Sequence, residues 1–272
     1  MIKYCLFPVA GLGTRLLPVT KSIPKEMIPI LSKPLIQYAV EEAYDLGIDE
    51  HIFITNNKKK SIELFFKTNN FLDSKVKGKK IEEALRGLNK LIMHSSFTFI
   101  NQEKMLGLGH AILMGEKKID SPFAVILPDD LCHNKVESVL QQMLKVHEIY
   151  PGKSIIAVEE VDYEDVENYG VIDGNCINQN PKIYNVKRMV EKPRSKDAPS
   201  TLAIIGRYIL QPEIFNIIKE IDTDEKGEIQ ITNALDILAK DNKVIALKFQ
   251  GKRIDCGSYQ GIIEANNYFN NS

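Results

Sequence analysis

Five apolar runs of strand length fall within the first 160 residues: Cys5–Val9, His51–Thr55, Phe97–Ile100, Phe123–Leu127 and Ser154–Val158. They show little alternation of apolar and polar residues, so both faces of each strand must be covered, which is the habit of parallel sheets. Between them lie stretches with apolar residues at helical spacing, Leu35–Leu46, His110–Lys118 and Val136–Ile149. This part of the chain therefore predicts an α/β fold, a mostly parallel sheet flanked by helices.

From Tyr169 the texture changes. Shorter, more polar strand-like segments with turn residues follow: YGVIDGN, IYNVKRMVEKP and LAIIGRYIL. A helix from Pro212, another at Ile229–Lys240, a strand at Val244–Phe249 and a last helix after Gly257 complete the pattern. These read as a small α+β subdomain attached, on the substrate side, to the same sheet. A chain of 272 residues suffices for one large α/β domain or two small ones. No Pro/Ser-rich linker interrupts it, so one domain over residues 1–272 is expected, with halves at about 1–160 and 161–272.

Composition mainly excludes. Lys and Arg number 35 and Asp and Glu 36, a net charge of -1, so a bound anion must be held by locally placed groups. No nucleic-acid partner is expected. The lysine-rich stretch Thr68–Lys90 contains Glu82 and Glu83 and reads as a solvated helix face. No segment approaches the ~20 apolar residues of a membrane span. The opening Met1-Ile2-Lys3-Tyr4 runs straight into a strand-like segment without a signal core. Cys5, Cys132, Cys176 and Cys256 form no CxxC pair and read as reduced thiols. A cytoplasmic location without a membrane partner is expected.

The most telling local feature is FPVAGLGTRLLPVTKSIPKEMIPI, residues 7–30. The strand ending at Val9 stops at Ala10-Gly11-Leu12-Gly13-Thr14-Arg15, where small residues let backbone N–H groups form a concave nest for an anion. Two phosphate motifs fail here. The dinucleotide fingerprint needs a third glycine opening a helix, but Leu16 follows Arg15 and Pro18 soon breaks the segment. The P-loop needs Gly-Lys-Ser/Thr, which is missing. Arg15 can bridge phosphate oxygens in a fork and Lys25 can act as a point charge, while Lys21 reads as a surface lysine. The combination suits a polyphosphate held by backbone and neutralised by side chains.

This segment, with KPLIQYAVEEA directly after it, resembles the bacterial UTP–glucose-1-phosphate uridylyltransferases, also called UDP-glucose pyrophosphorylases. QEKMLGLGHAIL, FAVILPDD, YGVI, MVEKP, IGRYIL, GEIQIT and RIDCGS all have counterparts in that family, in the same order. The resemblance implies a Rossmann-like mixed sheet, the nucleotide-diphospho-sugar transferase fold, with a nucleotide-binding first half and a sugar-binding second half. It implies a reaction of UTP with glucose 1-phosphate that yields UDP-glucose and pyrophosphate. It also implies Mg²⁺ as cofactor and a homodimer or homotetramer.

Such a reaction needs no general base, because the attacking phosphate oxygen is already an anion. It needs positioning and charge neutralisation. Asp129 in ILPDD and Asp255 in RIDCGS match the family's metal positions, and Mg²⁺ commonly takes only one or two protein carboxylates. Asp130 ranks below Asp129. The catalytic candidates are Arg15, Lys25, Asp129 and Lys192. The nucleotide-binding candidates are Ala10, Gly11, Gly13, Thr14, Arg15, Glu26, Gln102 and Gly107, with the Gln102 amide reading the uracil edge. Gly170, Glu191, Lys192 and Glu228 are the sugar-phosphate candidates, with Thr232 beside Glu228. His110 reads as structural, at the start of a helix.

One departure stands out. The family usually carries aspartate where this chain has Asn233. If that carboxylate only caps a helix, asparagine serves nearly as well; if it orders a cation, activity falls. Three alternatives stay open. One is a thymidylyltransferase or another sugar-1-phosphate nucleotidyltransferase of the same fold. Another is a non-catalytic nucleotide-sugar sensor. The third, a nicotinamide oxidoreductase, lacks the helix-opening glycine.

Overall fold

Strands apolar on both faces can be buried only between two layers, and the computed structural model, which describes residues 2–79, 82–178 and 180–271, has this arrangement. The ends of the expected span, Met1 and Ser272, lie outside the described residues. The first half supplies β1 (Tyr4–Pro8), a hairpin of β2 (Pro29–Ile30) and β3 (Lys33–Pro34), β4 (Glu50–Thr55), β5 (Ser96–Asn101), β6 (Phe123–Ile126) and β7 (Asp130–His133). The second adds β8 (Ser154–Glu160), β9 (Gly170–Ile177), β10 (Asn180–Glu191), β11 (Leu202–Leu210), β12 (Val244–Lys248) and β13 (Lys252–Asp255). Among the described residues one nine-stranded sheet runs through both halves in the order β5-β4-β1-β6-β11-β8-β12-β10-β9. Its first four strands are parallel. From β11 onward most neighbours are antiparallel, β12 with β8 being parallel. The parallel character belongs to the first half, and the sheet as a whole is mixed.

Successive side chains of β1 and β6 go to opposite faces, as a strand's period of two requires. Phe7, Ala124 and Ile126 pack toward the helices Leu35–Tyr44 and Val139–Ile149. Leu6, Phe123 and Val125 pack toward Gly107–Leu113, Ile214–Glu220 and Ile231–Lys240. Phe53 of β4 is fully buried, its ring 5.0 Å from Phe7 and 4.9 Å from Phe99. Burial of such a side chain contributes roughly 1.5–3 kcal/mol. Helix boundaries follow capping more than periodicity. The stretch expected to be helical from Val136 begins at Val139, because the Ser138 hydroxyl accepts from the Gln141 N–H at 3.1 Å and caps the first turn. Among the described residues no helix is long and apolar enough to cross a membrane. All four cysteines are free.

One pairing has no periodic signal in the sequence. β7 and β13, four residues each, pair antiparallel with Asp255 opposite Asp130, and the Cys256 N–H donates to the Asp129 carbonyl at 2.8 Å. Ile30, Leu35, Leu131, Ile254, Cys256 and Ala265 form a small separate core around this ribbon, which the helix Tyr259–Asn270 joins. The ribbon begins just past the carboxyl end of β6. The loops after the parallel strands β1, β5 and β6 carry Ala10–Gly13, Gln102 and Asp129, so the topology gathers three candidate segments at one edge.

Candidate active site

The glycine turn is shaped before any ligand arrives. Its incoming strand is held by Val9 N–H to the Ile54 carbonyl at 2.8 Å, and the Asn56 amide donates to the Ala10 carbonyl at 2.5 Å. Gly13 takes φ +66, a left-handed backbone that costs other residues about 1–2 kcal/mol, and the Thr20 hydroxyl donates to its carbonyl at 2.8 Å. A short 3₁₀ turn, Thr14–Leu16, follows in place of an α-helix, with Thr14 exposed and Arg15 extended to Asp255 at 3.2 Å. A third 3₁₀ turn, Lys25–Met27, sends adjacent side chains opposite ways. Lys25 reaches Asp129 at 2.5 Å, while Glu26 is buried with both carboxylate oxygens 2.8 and 2.9 Å from the Lys59 ammonium. Glu26, expected on the nucleotide, is thus turned inward, and Lys21 lies exposed on the surface.

Asp129 and Asp255 line one cavity of about 650 Å³ together with Arg15, Asp130, Tyr169, Lys192 and Arg253. Burial alone would raise Asp129, but the Lys25 ammonium beside it holds its carboxyl below the usual range. Burial would likewise lower Lys25, and Asp129 with Glu26 more than offset it, so the lysine stays protonated. Two carboxylates opening on one cavity are a hard-oxygen donor set and fit a divalent cation that completes its shell with phosphate oxygens and water. Among the described residues no group of three or more His, Cys, Asp or Glu side chains gathers to hold a metal.

Three of the sugar-phosphate candidates, Gly170, Glu191 and Lys192, come together with Thr232. The Thr232 hydroxyl donates to Glu191 at 2.7 Å, and Gly170 lies so near that a Cβ there would stand 2.9 Å from that hydroxyl and 3.2 Å from the carboxylate. Lys192, 3.5 Å from Glu191, has φ +45, a strained backbone for a residue with a side chain. Its N–H is tied to the Tyr169 carbonyl at 3.0 Å, which holds the lysine at the cavity wall.

A second cavity, of about 350 Å³, is lined by Ala10, Gly11, Gln102, Gly107 and Glu228 among others. Glu228, expected with the sugar phosphate, lines this cavity beside nucleotide candidates. The cause is a backbone clasp, Ile229 N–H to Leu106 carbonyl at 2.7 Å and Gly109 N–H to Ile229 carbonyl at 2.8 Å, which pins Glu228 to the glycine loop. Gly107 has φ +87, and a Cβ there would lie 2.9 Å from that of Glu228. Gln102 is buried, its backbone N–H bonded to the Thr55 carbonyl at 2.7 Å and its amide nitrogen 2.8 Å from Nδ1 of His110.

Sequence reasoning missed a supporting frame. Arg253 binds Asp130 at 2.7 Å and Glu159 at 2.7 Å, donates to the Tyr169 hydroxyl at 3.2 Å, and lies over that tyrosine's ring. Asp130 also accepts from the Gly206 N–H at 2.7 Å, so both of its oxygens have partners. IGRY and RID flagged Gly206 and Arg253 only as members of longer motifs, and partners this distant in sequence leave no local trace. Asn233 is exposed in the first turn of its helix.

Comparison with known proteins adds three findings. A sequence model of the nucleotidyl transferase family matches residues 9–272. The UTP–glucose-1-phosphate uridylyltransferase of Pseudomonas aeruginosa is 50% identical over 270 residues, covering 98% of this chain and 96% of its own. Two solved structures are similar over 100% of this chain and 99% of theirs: an apo UDP-glucose pyrophosphorylase (TM-score 0.95, 50% identity) and a UDP-glucose pyrophosphorylase complexed with UDP-glucose (TM-score 0.91, 49% identity).

Proposed function

The chain belongs to the nucleotidyl transferase family, and on that premise we propose that it converts UTP and glucose 1-phosphate into UDP-glucose and pyrophosphate. The observation that carries the reading is the meeting of two cation–carboxylate pairs, Lys25–Asp129 and Arg15–Asp255, beside one cavity sized for a base and another lined for a sugar phosphate. The relatives supply the identity of base and sugar.

An oxygen of the sugar phosphate forms a bond to the α-phosphorus of UTP while the bond from that phosphorus to pyrophosphate breaks in line, the electron pair leaving with pyrophosphate. No proton has to move. The task of the chain is to bring two polyanions together, so preorganised positive charge is the main catalytic device. Lys25 and Arg15 neutralise the nucleotide phosphates and the leaving pyrophosphate. Lys192 grips the phosphate of the sugar, and Glu191, held by Thr232, accepts from glucose hydroxyls beside Gly170. Ala10, Gly11, Gly13 and Thr14 cradle the nucleotide in their turn, and Gln102 with Gly107 receives the uracil. A divalent cation, Mg²⁺ in this proposal, would be held by Asp129 and Asp255 and would neutralise phosphate charge when bound. The half up to about residue 160 takes the nucleotide and the half from about 161 takes the sugar. A homodimer or homotetramer in the cytoplasm completes the proposal.

The test is pyrophosphate release with glucose 1-phosphate and Mg²⁺, offering UTP, dTTP, CTP, ATP and GTP separately. Release mainly with UTP is expected. A clear preference for dTTP would move the protein to the thymidylyl branch, and folded protein that releases nothing with any nucleotide would end the enzymatic reading.

A further inference from the structure

The contact between Gln102 and His110 does more than fill space. A glutamine amide offers a carbonyl on one side and an NH₂ on the other, and the two present opposite hydrogen-bonding characters to a ligand. Nothing in the side chain itself decides which way it is turned. Here the amide nitrogen lies 2.8 Å from Nδ1 of His110, and Gln102 is 4% exposed, at the wall of the cavity formed by Ala10, Gly11, Gly107 and Glu228. Burial lowers the pKa of His110, which favours the neutral ring, and a neutral ring has one acceptor nitrogen. In the tautomer protonated on Nε2, Nδ1 accepts from the amide NH₂, and turning the amide over would set its carbonyl against that lone pair.

Resting on the reading that this cavity takes the base of UTP, we propose that His110 is a positioning residue that fixes the Gln102 amide and thereby selects bases carrying N3–H over cytosine. Uracil and thymine carry a proton on N3, which the Gln102 Oε1 can accept. Cytosine carries a lone pair on N3, so the same Oε1 would face a second acceptor. Turning the amide over would reverse the preference, and beside His110 the turn requires the ring proton to move from Nε2 to Nδ1. The histidine stands behind Gln102 and does not itself line the cavity.

The experiment compares kcat/KM for UTP, dTTP and CTP in the wild type, His110→Leu and His110→Gln, with melting temperatures to show that each is folded. In His110→Leu the UTP-to-CTP ratio should fall about tenfold to a hundredfold, the range lost when a polar group that reads a substrate is no longer held. The UTP-to-dTTP ratio should stay put, because both bases present N3–H. His110→Gln, whose carbonyl can accept from the Gln102 amide, should restore most of the discrimination. An unchanged UTP-to-CTP ratio in folded His110→Leu would overturn the proposal. Gln102→Ala separates the two levels: if it too leaves that ratio unchanged, the base-reading role of the cavity falls, and if it alone changes the ratio, only the role of His110 falls. A direct readout needs no variant. Nitrogen NMR of the wild type should find His110 protonated on Nε2 and bare on Nδ1; a proton on Nδ1 would overturn the assignment.

Discussion

Asp129 and Asp130 are neighbours in the chain, yet they belong to two different kinds of charge network. Asp129 meets one side chain, the Lys25 ammonium, at the open end of a cavity, and Asp255 likewise meets Arg15. Asp130 is held by Arg253 and by the Gly206 N–H, and Arg253 binds Glu159 and Tyr169 as well. Deeper still, Arg207 is 1% exposed, donating to Glu42 at 3.0 Å and to the carbonyls of Leu127 and Gly206 at 3.2 and 3.1 Å. The scaffold charges have their hydrogen-bonding capacity filled from several directions, whereas the cleft carboxylates face a cavity, Asp129 with Lys25 and Asp255 with Arg15 and the Gly257 N–H. A phosphate can exchange for a single partner; it cannot dismantle a filled network.

Breaking the filled network should give the largest effect. Glu42→Ala leaves the Arg207 guanidinium buried without its counter-ion and the Leu140 N–H without its acceptor, and should cost about 3–5 kcal/mol of stability in urea unfolding. A cost under about 1 kcal/mol would mean that this network is no stiffer than a surface pair. Breaking a cleft pair should do the opposite. Asp129→Asn keeps the shape and removes the charge, so kcat should fall about 10²–10³-fold, as for loss of one preorganised electrostatic group. Its unfolding midpoint should stay near that of the wild type. Near-normal turnover at saturating Mg²⁺ would remove Asp129 from the chemistry.

A third kind of buried ionisable group sharpens the contrast. His51 in β4 is 1% exposed between the rings of Phe7 and Phe97, with no hydrogen-bond partner for either nitrogen among the described residues. Burial lowers its pKa from 6.5 to about 4, so the unfolded chain takes up a proton that the folded chain resists. The contribution is complete above pH 6.5 and is lost as the pH falls toward 4. Between pH 7 and pH 5 it should amount to about 2 kcal/mol, seen as a difference in acid sensitivity between the wild type and His51→Leu in urea unfolding. Equal acid sensitivity in the two proteins would show that this ring does not resist protonation.

The sequence exposed the parallel half of the fold because Cys5–Val9 and Phe123–Leu127 are apolar without interruption, and such runs have few alternatives. It exposed the cleft cations because they crowd behind one glycine turn. The β7–β13 ribbon stayed hidden, since two four-residue strands joined across the whole second half carry no period to detect. The partners of Arg253, Arg207 and Lys59 stayed hidden for a related reason: an ion pair between distant residues leaves no mark on either neighbourhood. The place of Glu228 beside the glycine loop also stayed hidden, because the clasp that sets it joins backbone atoms of Leu106, Gly109 and Ile229 across more than a hundred residues.

Every cation of the cleft carries its own cover: Arg15 has Asp255, Lys25 has Asp129, and Lys192 has Glu191. Each of these three cations therefore meets a passing anion with a carboxylate at its side. A stray phosphate ester that approaches any one of these cations meets a carboxylate already beside it. Only a ligand that brings its own counter-charge to those carboxylates, and enough phosphates to occupy all three cations, relieves every member of the set together. The protein is guarded against clutter by the same residues that make it reactive.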